Sequence, residues 1–257
     1  MKKYFYIAFL MLATVFVGCE KVDDPEGEPV LADQLVGTWV MSSDASDGYT
    51  VKYIFGKDKF TVQEGECEYQ GTFALDGDVL TMMVDDSLVN EVKLIMLYDN
   101  NVLVMRYHSG MGEGWGIADE FGLFYRENGS VKASLEDVQG KWYWYFRGNE
   151  AIIRSMLEID GSNFDFIIPV WRERMKGTIE YQNGKIQFQV TEFLIRDNLD
   201  EGNESLENLY LYWRTPTEEE AQWLTPSFGY SFAKPFVANG DEAFGMIANL
   251  PAYFVRK

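Results

Sequence analysis

The chain has 257 residues, with 41 acidic against 22 basic side chains and a formal charge of -19 at pH 7. A balance this negative argues against nucleic acid as a partner, because neutralising phosphates supplies most of that affinity, and it keeps the protein body off an anionic membrane surface. Two cysteines and one histidine leave no material for a disulfide framework, a CxxC redox centre or a multi-histidine metal site.

Residues 1–18 open with Lys2 and Lys3, run apolar from 4 to 17 and end on Gly18, which is the pattern of an export signal peptide. The run is too short for a membrane span, which takes about 20 apolar residues. Cys19 stands where the apolar run gives way to acid. Phe16-Val17-Gly18-Cys19 resembles the lipobox of bacterial lipoproteins, in which the cysteine thiol is lipidated and becomes the first residue of the mature chain. The resemblance implies a membrane anchor at Cys19, since several acyl chains at ~0.8 kcal/mol per buried CH₂ hold a protein firmly. In the tether, residues 19–30, Glu20, Asp23, Asp24, Glu26 and Glu28 crowd around two prolines and a glycine, with too little apolar area to order the segment. An acidic stretch behind a lipidated cysteine resembles the surface-export signal of lipoproteins in Bacteroidetes-type bacteria. It implies an outer-membrane protein on the cell surface, with the periplasmic face as the alternative.

The rest of the chain is one module written twice. LVGTWVMSS from Leu35 matches VQGKWYWYF from Val138, with Trp39 and Trp142 lying 103 residues apart. YIFGKDKFTV from Tyr53 matches LEIDGSNFDF from Leu157 at an offset of 104, and GTFALDGDVLTM from Gly71 matches GTIEYQNGKIQF from Gly177 at 106. Each block is a hairpin signal, with alternating apolar residues on either side of Asp76-Gly77 or Asn183-Gly184. NVLVMRYH from Asn101 pairs with NLYLYWRT from Asn208, and each copy ends on an aromatic strand with arginine, LFYRE from Leu123 and YFVRK from Tyr253. The period-two alternation predicts strands with one buried and one wetter face throughout. Helix signals are few: TEEEAQWL from Thr217, where Thr217 caps and Glu220 answers it, and short turns at LADQLVG and SLEDVQG before each G-x-W.

These elements predict an all-β protein of two domains, 31–128 and 133–257, joined by the polar turn Glu127–Ser130. Closing each meander into an antiparallel up-and-down barrel hides its edges. The extra length of the second copy falls near 214–250, in a Phe- and Gly-rich stretch. A short turn, then G-x-W on the first strand, then a run of hairpins resembles the lipocalin-like domains of bacterial lipoproteins. The resemblance implies that the tryptophan closes the barrel bottom with an arginine of the last strand across it: Trp39 with Arg126, and Trp142 with Arg256 or Arg214.

Chemistry is thinly signalled. Glu64, Glu66 and Glu68 alternate along one strand, and Glu158 and Asp165 flank a hairpin, but no pair declares a cleft with divergent pKa values. Glu173, amid Arg172, Arg174 and Lys176, reads as part of a surface charge network. No G-x-S-x-G, HExxH or Walker pattern occurs. GMGEGWG from Gly110 reads as a loop placing Trp115 at a rim, and DNLDEGNE from Asp197 as an acidic turn without EF-hand spacing. The chain therefore reads as non-enzymatic, with no metal and no cofactor. Two functions fit it: an accessory or structural subunit of an outer-membrane complex, with an envelope protein as partner, or a binder of a small apolar molecule or glycan at a barrel mouth. The candidate contacts are Trp115, Trp171, Trp213, Trp223, Phe228, Phe232 and Phe236. An open, polar-lined cavity favours the second function; filled barrels and an exposed apolar patch favour the first.

Overall fold

The computed structural model describes residues 29–41, 50–85, 87–107, 121–146, 149–197, 208–223, 231–247 and 250–257. The expected signal peptide, Cys19, most of the expected tether, Trp115 and Phe228 lie outside them, as do the side chains of Trp223 and Phe232.

The first copy begins with one helical turn, α1 (Ala32–Leu35), and eight strands: β1 (Gly37–Met41), β2 (Val51–Phe55), β3 (Lys59–Glu64), β4 (Cys67–Asp76), β5 (Val79–Val84), β6 (Ser87–Leu97), β7 (Val102–Tyr107) and β8 (Phe121–Arg126). Each pairs antiparallel with the next and β8 returns to β1, so the sheet is a closed barrel with no free edge. The second copy opens on a 3₁₀ turn at Leu135–Val138 and continues with β9 (Gly140–Phe146), β10 (Asn149–Asp160), β11 (Asn163–Ile168), β12 (Glu173–Gln182) and β13 (Lys185–Arg196). After β14 (Trp213–Arg214) and α2 (Glu218–Trp223) come β15 (Ser231–Asn239), β16 (Glu242–Ile247) and β17 (Leu250–Arg256). β17 pairs with β9 and β15 with β13, closing a second eight-stranded ring from which β14 hangs on the far end of β13.

The duplication is legible in the registers. Trp39 faces Tyr53 and Arg126 as Trp142 faces Leu157 and Arg256, and Phe60 faces Gly71 as Phe164 faces Gly177. The two copies are thus the same barrel.

The expected insertion at 214–250 needs correcting. Residues 231–247 are two staves of the ring, the counterparts of β6 and β7, and the added segment runs between β13 and β15 with β14 and α2 in it. The match of NLYLYWRT to the β7 sequence fails for the same reason. Proline inside a stretch demotes it as a strand, yet Pro235 sits opposite Lys185 at the end of the β13–β15 ladder. The Thr217 cap is present: Glu220 Oε2 accepts from the Thr217 N–H at 2.7 Å, and Thr217 Oγ1 from the Glu220 N–H at 3.2 Å.

Aromatic side chains occupy both lumens. In the first, Tyr53 meets Phe124 edge-on at 5.3 Å and Phe55 meets Phe73 at 5.4 Å. In the second, Phe164 lies 4.9 Å from Phe188, and Phe236 bridges Trp142 at 5.3 Å and Phe254 at 5.2 Å.

The barrels meet wall to wall. Ile95, Val104 and Leu123 on β6–β8 pack in one buried cluster with Val237, Phe244 and Tyr253 on β15–β17. Phe121 contacts Phe244 edge-on at 5.5 Å, the Tyr98 hydroxyl donates to the Ala238 carbonyl at 2.5 Å, and the Tyr125 hydroxyl to that of Gly184 at 2.9 Å. A wet outer face, expected for every strand, is therefore absent from β7, where Val102 through Arg106 are all buried.

Candidate functional site

Three places hold polar or aromatic groups in arrangements that invite a role: the closed barrel ends, the added segment on the second barrel, and the rim of that barrel's lumen.

At the closed ends, Trp39 and Trp142 are fully buried, and each indole N–H donates to the carbonyl four residues back, of Leu35 at 2.7 Å and Val138 at 2.8 Å. The Arg126 guanidinium lies 4.3 Å over Trp39, and that of Arg256 lies 4.4 Å over Trp142. Arg126 also donates to the carbonyls of Asn100, Val36 and Gln34 at 2.8, 2.8 and 2.5 Å. Arg256 does the same for Gly240 at 2.5 Å and Asp137 at 3.2 Å. Each arginine thus seals an apolar floor with its stem and face while its N–H groups satisfy carbonyls at a turn. The glycine of G-x-W clears its path, because a Cβ on Gly37, at φ +132°, would sit 2.6 Å from Arg126 Nη1. Arg214, the alternative partner for Trp142, is elsewhere, held by Asp197 and Glu220 at 2.6 Å each. Beside the second closed end a shallow groove of about 400 Å³ runs between the barrels, lined by Tyr98, Lys132, Glu136, Asp137, Gly240 and Arg256.

The added segment crosses the outer wall of the second barrel. Leu209 is buried there with Tyr143, Ile153, Met156 and Ile167, and Trp213 packs against them. The Trp213 N–H donates to the Leu209 carbonyl at 2.5 Å, repeating the indole-to-carbonyl geometry of the barrel floors. Arg214 anchors the end: its hydrogen bonds hold Glu220 down at a pKa of about 2 and hold the Asp197 carboxyl below its ordinary value. This leaves Tyr210, Leu211 and Tyr212 exposed, Tyr212 to 62%. Across the end of β13, the Arg196 N–H bonds the Arg172 carbonyl at 3.1 Å and Arg196 pairs with Trp213, so Arg172 and Trp213 stand two strand spacings apart, about 10 Å, with the exposed Val170 and Trp171 directly preceding Arg172 in the chain. Five large exposed apolar side chains thus gather at one end of one barrel. Arg172, Arg174, Arg196 and Arg214, four of the chain's nine arginines, stand among them. Arg174 and Arg196 lie 5.1 and 5.8 Å over the rings of Tyr210 and Tyr212.

Of the residues singled out from sequence, Trp171 and Trp213 fall in this patch, one exposed and one half-buried. Phe236 does not: at 3% exposure, against Trp142, it is lumen filling rather than contact surface. The sequence reading missed Tyr210 and Tyr212, because the alternation in NLYLYW imitates a half-buried strand. Glu158 and Asp165 lie directly opposite each other, and each has its own cation, Lys141 at 3.4 Å and Arg174 at 2.5 Å. Glu68 accepts from Gln63 at 3.0 Å and Gln70 at 3.2 Å. Among the described residues no group of three or more histidine, cysteine or acidic side chains is placed to hold a metal ion.

Glu173 differs from its expected place in a surface network. It lies opposite Ile168, a lumen residue, and so turns inward while Arg174 turns out. Burial lifts its pKa to about 7. A carboxyl that protonates more readily folded than unfolded makes stability fall as pH rises from about 4.5 to about 7 and then level off. Glu173→Gln is therefore expected to raise the melting temperature at pH 8 and leave it unchanged at pH 4, which thermal scans at the two pH values would check.

The molecule is thus a tandem of closed antiparallel barrels with filled lumens and an aromatic and arginine patch on the second. No protein-family model matches the chain, and no curated protein resembles it in sequence.

Proposed function

We propose that the chain is a non-catalytic, lipid-anchored accessory subunit of an outer-membrane complex, displayed on the cell surface, whose two lipocalin-like barrels serve as a scaffold. The observation that carries this reading is the contrast between lumens filled with aromatic rings and the five exposed apolar side chains gathered on the second barrel. Tryptophan, tyrosine and arginine are the residues that dominate protein–protein hot spots, and here the arginines hold the rings in place before any partner arrives. Tether and anchor fit the same reading, since the barrels would sit clear of the bilayer, free to dock sideways.

The test uses the lipidated full-length protein in its native envelope. Replacing Trp171 and Tyr212 together with aspartate is expected to lower recovery of a cross-linked envelope partner at least about 30-fold, the loss of one hot spot of ~2 kcal/mol. The melting temperature should hold, because both side chains are exposed. Undiminished cross-linking would remove the patch from the reading. Cys19→Ser should move the protein from the detergent phase to the aqueous phase with its melting temperature unchanged; an unmodified Cys19 in the wild type would end the anchor claim.

A further inference from the structure

Two buried polar atoms in the wall of the second barrel, Ser155 Oγ and Glu173 Oε2, have no hydrogen-bond partner among the described residues. Such atoms are rare in folded proteins and each needs an explanation. Ser155 is fully buried and lies opposite Trp144, which lines the lumen, so its hydroxyl enters the barrel. Glu173 enters with Ile168 on one side and Ile195 on the other. Met156 faces Ile167 on the adjoining strands, which puts Ser155 level with Ile168. Serine, isoleucine and glutamate therefore form one row across β10, β11 and β12.

The row sits above the filled part of the lumen. Below it Phe164 and Phe166 lie 4.9 and 6.1 Å from Phe188. At its own level Ser155 and Ile168 are buried while Glu173 and Ile195 are only half-buried, as is Phe193 one layer below, so the wall is less covered on its β12–β13 side. Burial alone acts on the Glu173 carboxyl, with no charged neighbour contributing to its shift. The first barrel lacks both groups: by register, Val51 takes the place of Ser155 and Cys67 that of Glu173. The pair belongs to the second barrel alone.

We propose that this rim is a binding site for a small primary amine with an apolar body, its ammonium against Glu173, its body on Ile168, Ile195 and Phe193, and Ser155 taking a further hydrogen bond. A cation fits better than a neutral hydroxyl because an ionised carboxyl turned toward aliphatic neighbours lacks compensation, and an opposite charge supplies it. The chain's charge of -19 also raises the local concentration of cations. The site adjoins the docking patch, because the turn that carries Val170 and Trp171 joins Ile168 to Glu173, but it faces the lumen where the patch faces outward.

Calorimetric titration of the full chain at pH 8 with hexylamine, hexanol and hexanoate tests this. Hexylamine is expected to bind saturably at one site. Glu173→Gln should weaken it at least about 10-fold, as the loss of a charged hydrogen bond of ~1.5–3 kcal/mol requires, and Ser155→Ala should weaken it less. Hexanol and hexanoate should not distinguish wild type from Glu173→Gln. Because that variant is expected to be the more stable at pH 8, loss of binding would not reflect unfolding, and its melting temperature is measured alongside. Non-saturating uptake of hexylamine, or equal affinity in wild type and Glu173→Gln, would mean adsorption to the acidic surface and overturn the proposal.

Discussion

Trp39→Ala and Trp142→Ala are each expected to destabilise the protein by about 3–5 kcal/mol, among the largest effects of any single truncation in it. Both indoles are fully exposed to neighbours and not at all to water. Removing either ring opens a cavity at a barrel floor. It also strips the guanidinium above of its stacking surface, leaving Arg126 or Arg256 to bridge carbonyls over a void. Each carbonyl that received the indole N–H, Leu35 or Val138, would lose that donor as well. Chemical denaturation would read the loss as a lowered midpoint, and a midpoint that held would show that the floors are not structural. Trp142 carries the additional edge contact with Phe236, so its replacement also loosens β15.

Gly71→Ala and Gly177→Ala should be as damaging, for a different reason. A Cβ on Gly71 would lie 2.1 Å from the Met83 carbonyl oxygen, and one on Gly177 1.9 Å from that of Gln189. Both obstacles are backbone, and the rings of Phe60 and Phe164 close the other side, so no side-chain rotation makes room. The two positions are equivalent in the duplication, each paired with an aromatic of the neighbouring strand whose ring covers it. Overpacking of this kind costs about 3 kcal/mol or more where backbone must shift. Gly161→Ala provides the contrast: nothing stands within 4 Å of its Cβ, and only the left-handed backbone conformation resists, at about 1–2 kcal/mol. Equal losses at Gly161 and Gly177 in urea unfolding would refute the steric account.

Much of the barrel architecture can be read from the chain because its signals are local. Asp76-Gly77 and Asn183-Gly184 set hairpins by their own backbone preferences, with Gly77 and Gly184 at φ +62° and +72°. The repeated G-x-W and the terminal arginine fix both ends of each copy. What escapes is what depends on distant neighbours. Pro235 disguised β15, because its place at a ladder's end is a property of the partner strand. Glu173 read as exposed since its sequence neighbours are cationic, and only the pairing with Ile168 turns it inward. Tyr210 and Tyr212 alternate like strand residues although the segment runs over the barrel rather than in it. One overlooked signal was available: VLVM in β7 is apolar at every position, the mark of a strand covered on both faces.

The joint between the barrels is made from the same staves of each copy. Counting back from Arg126 and Arg256, Leu123 corresponds to Tyr253, Val104 to Phe244 and Ile95 to Val237, and all six share one buried cluster. A surface that packs against its own equivalent is self-complementary, the geometry by which two-fold dimers assemble. In this chain the two halves are fused through a short link, so the second association is intramolecular, with an effective concentration in the mM range, and dilution cannot undo it. Cutting that link would turn an internal seam into an adhesive one: each freed barrel would present valine and phenylalanine side chains to solvent and find in any sibling the face it had lost.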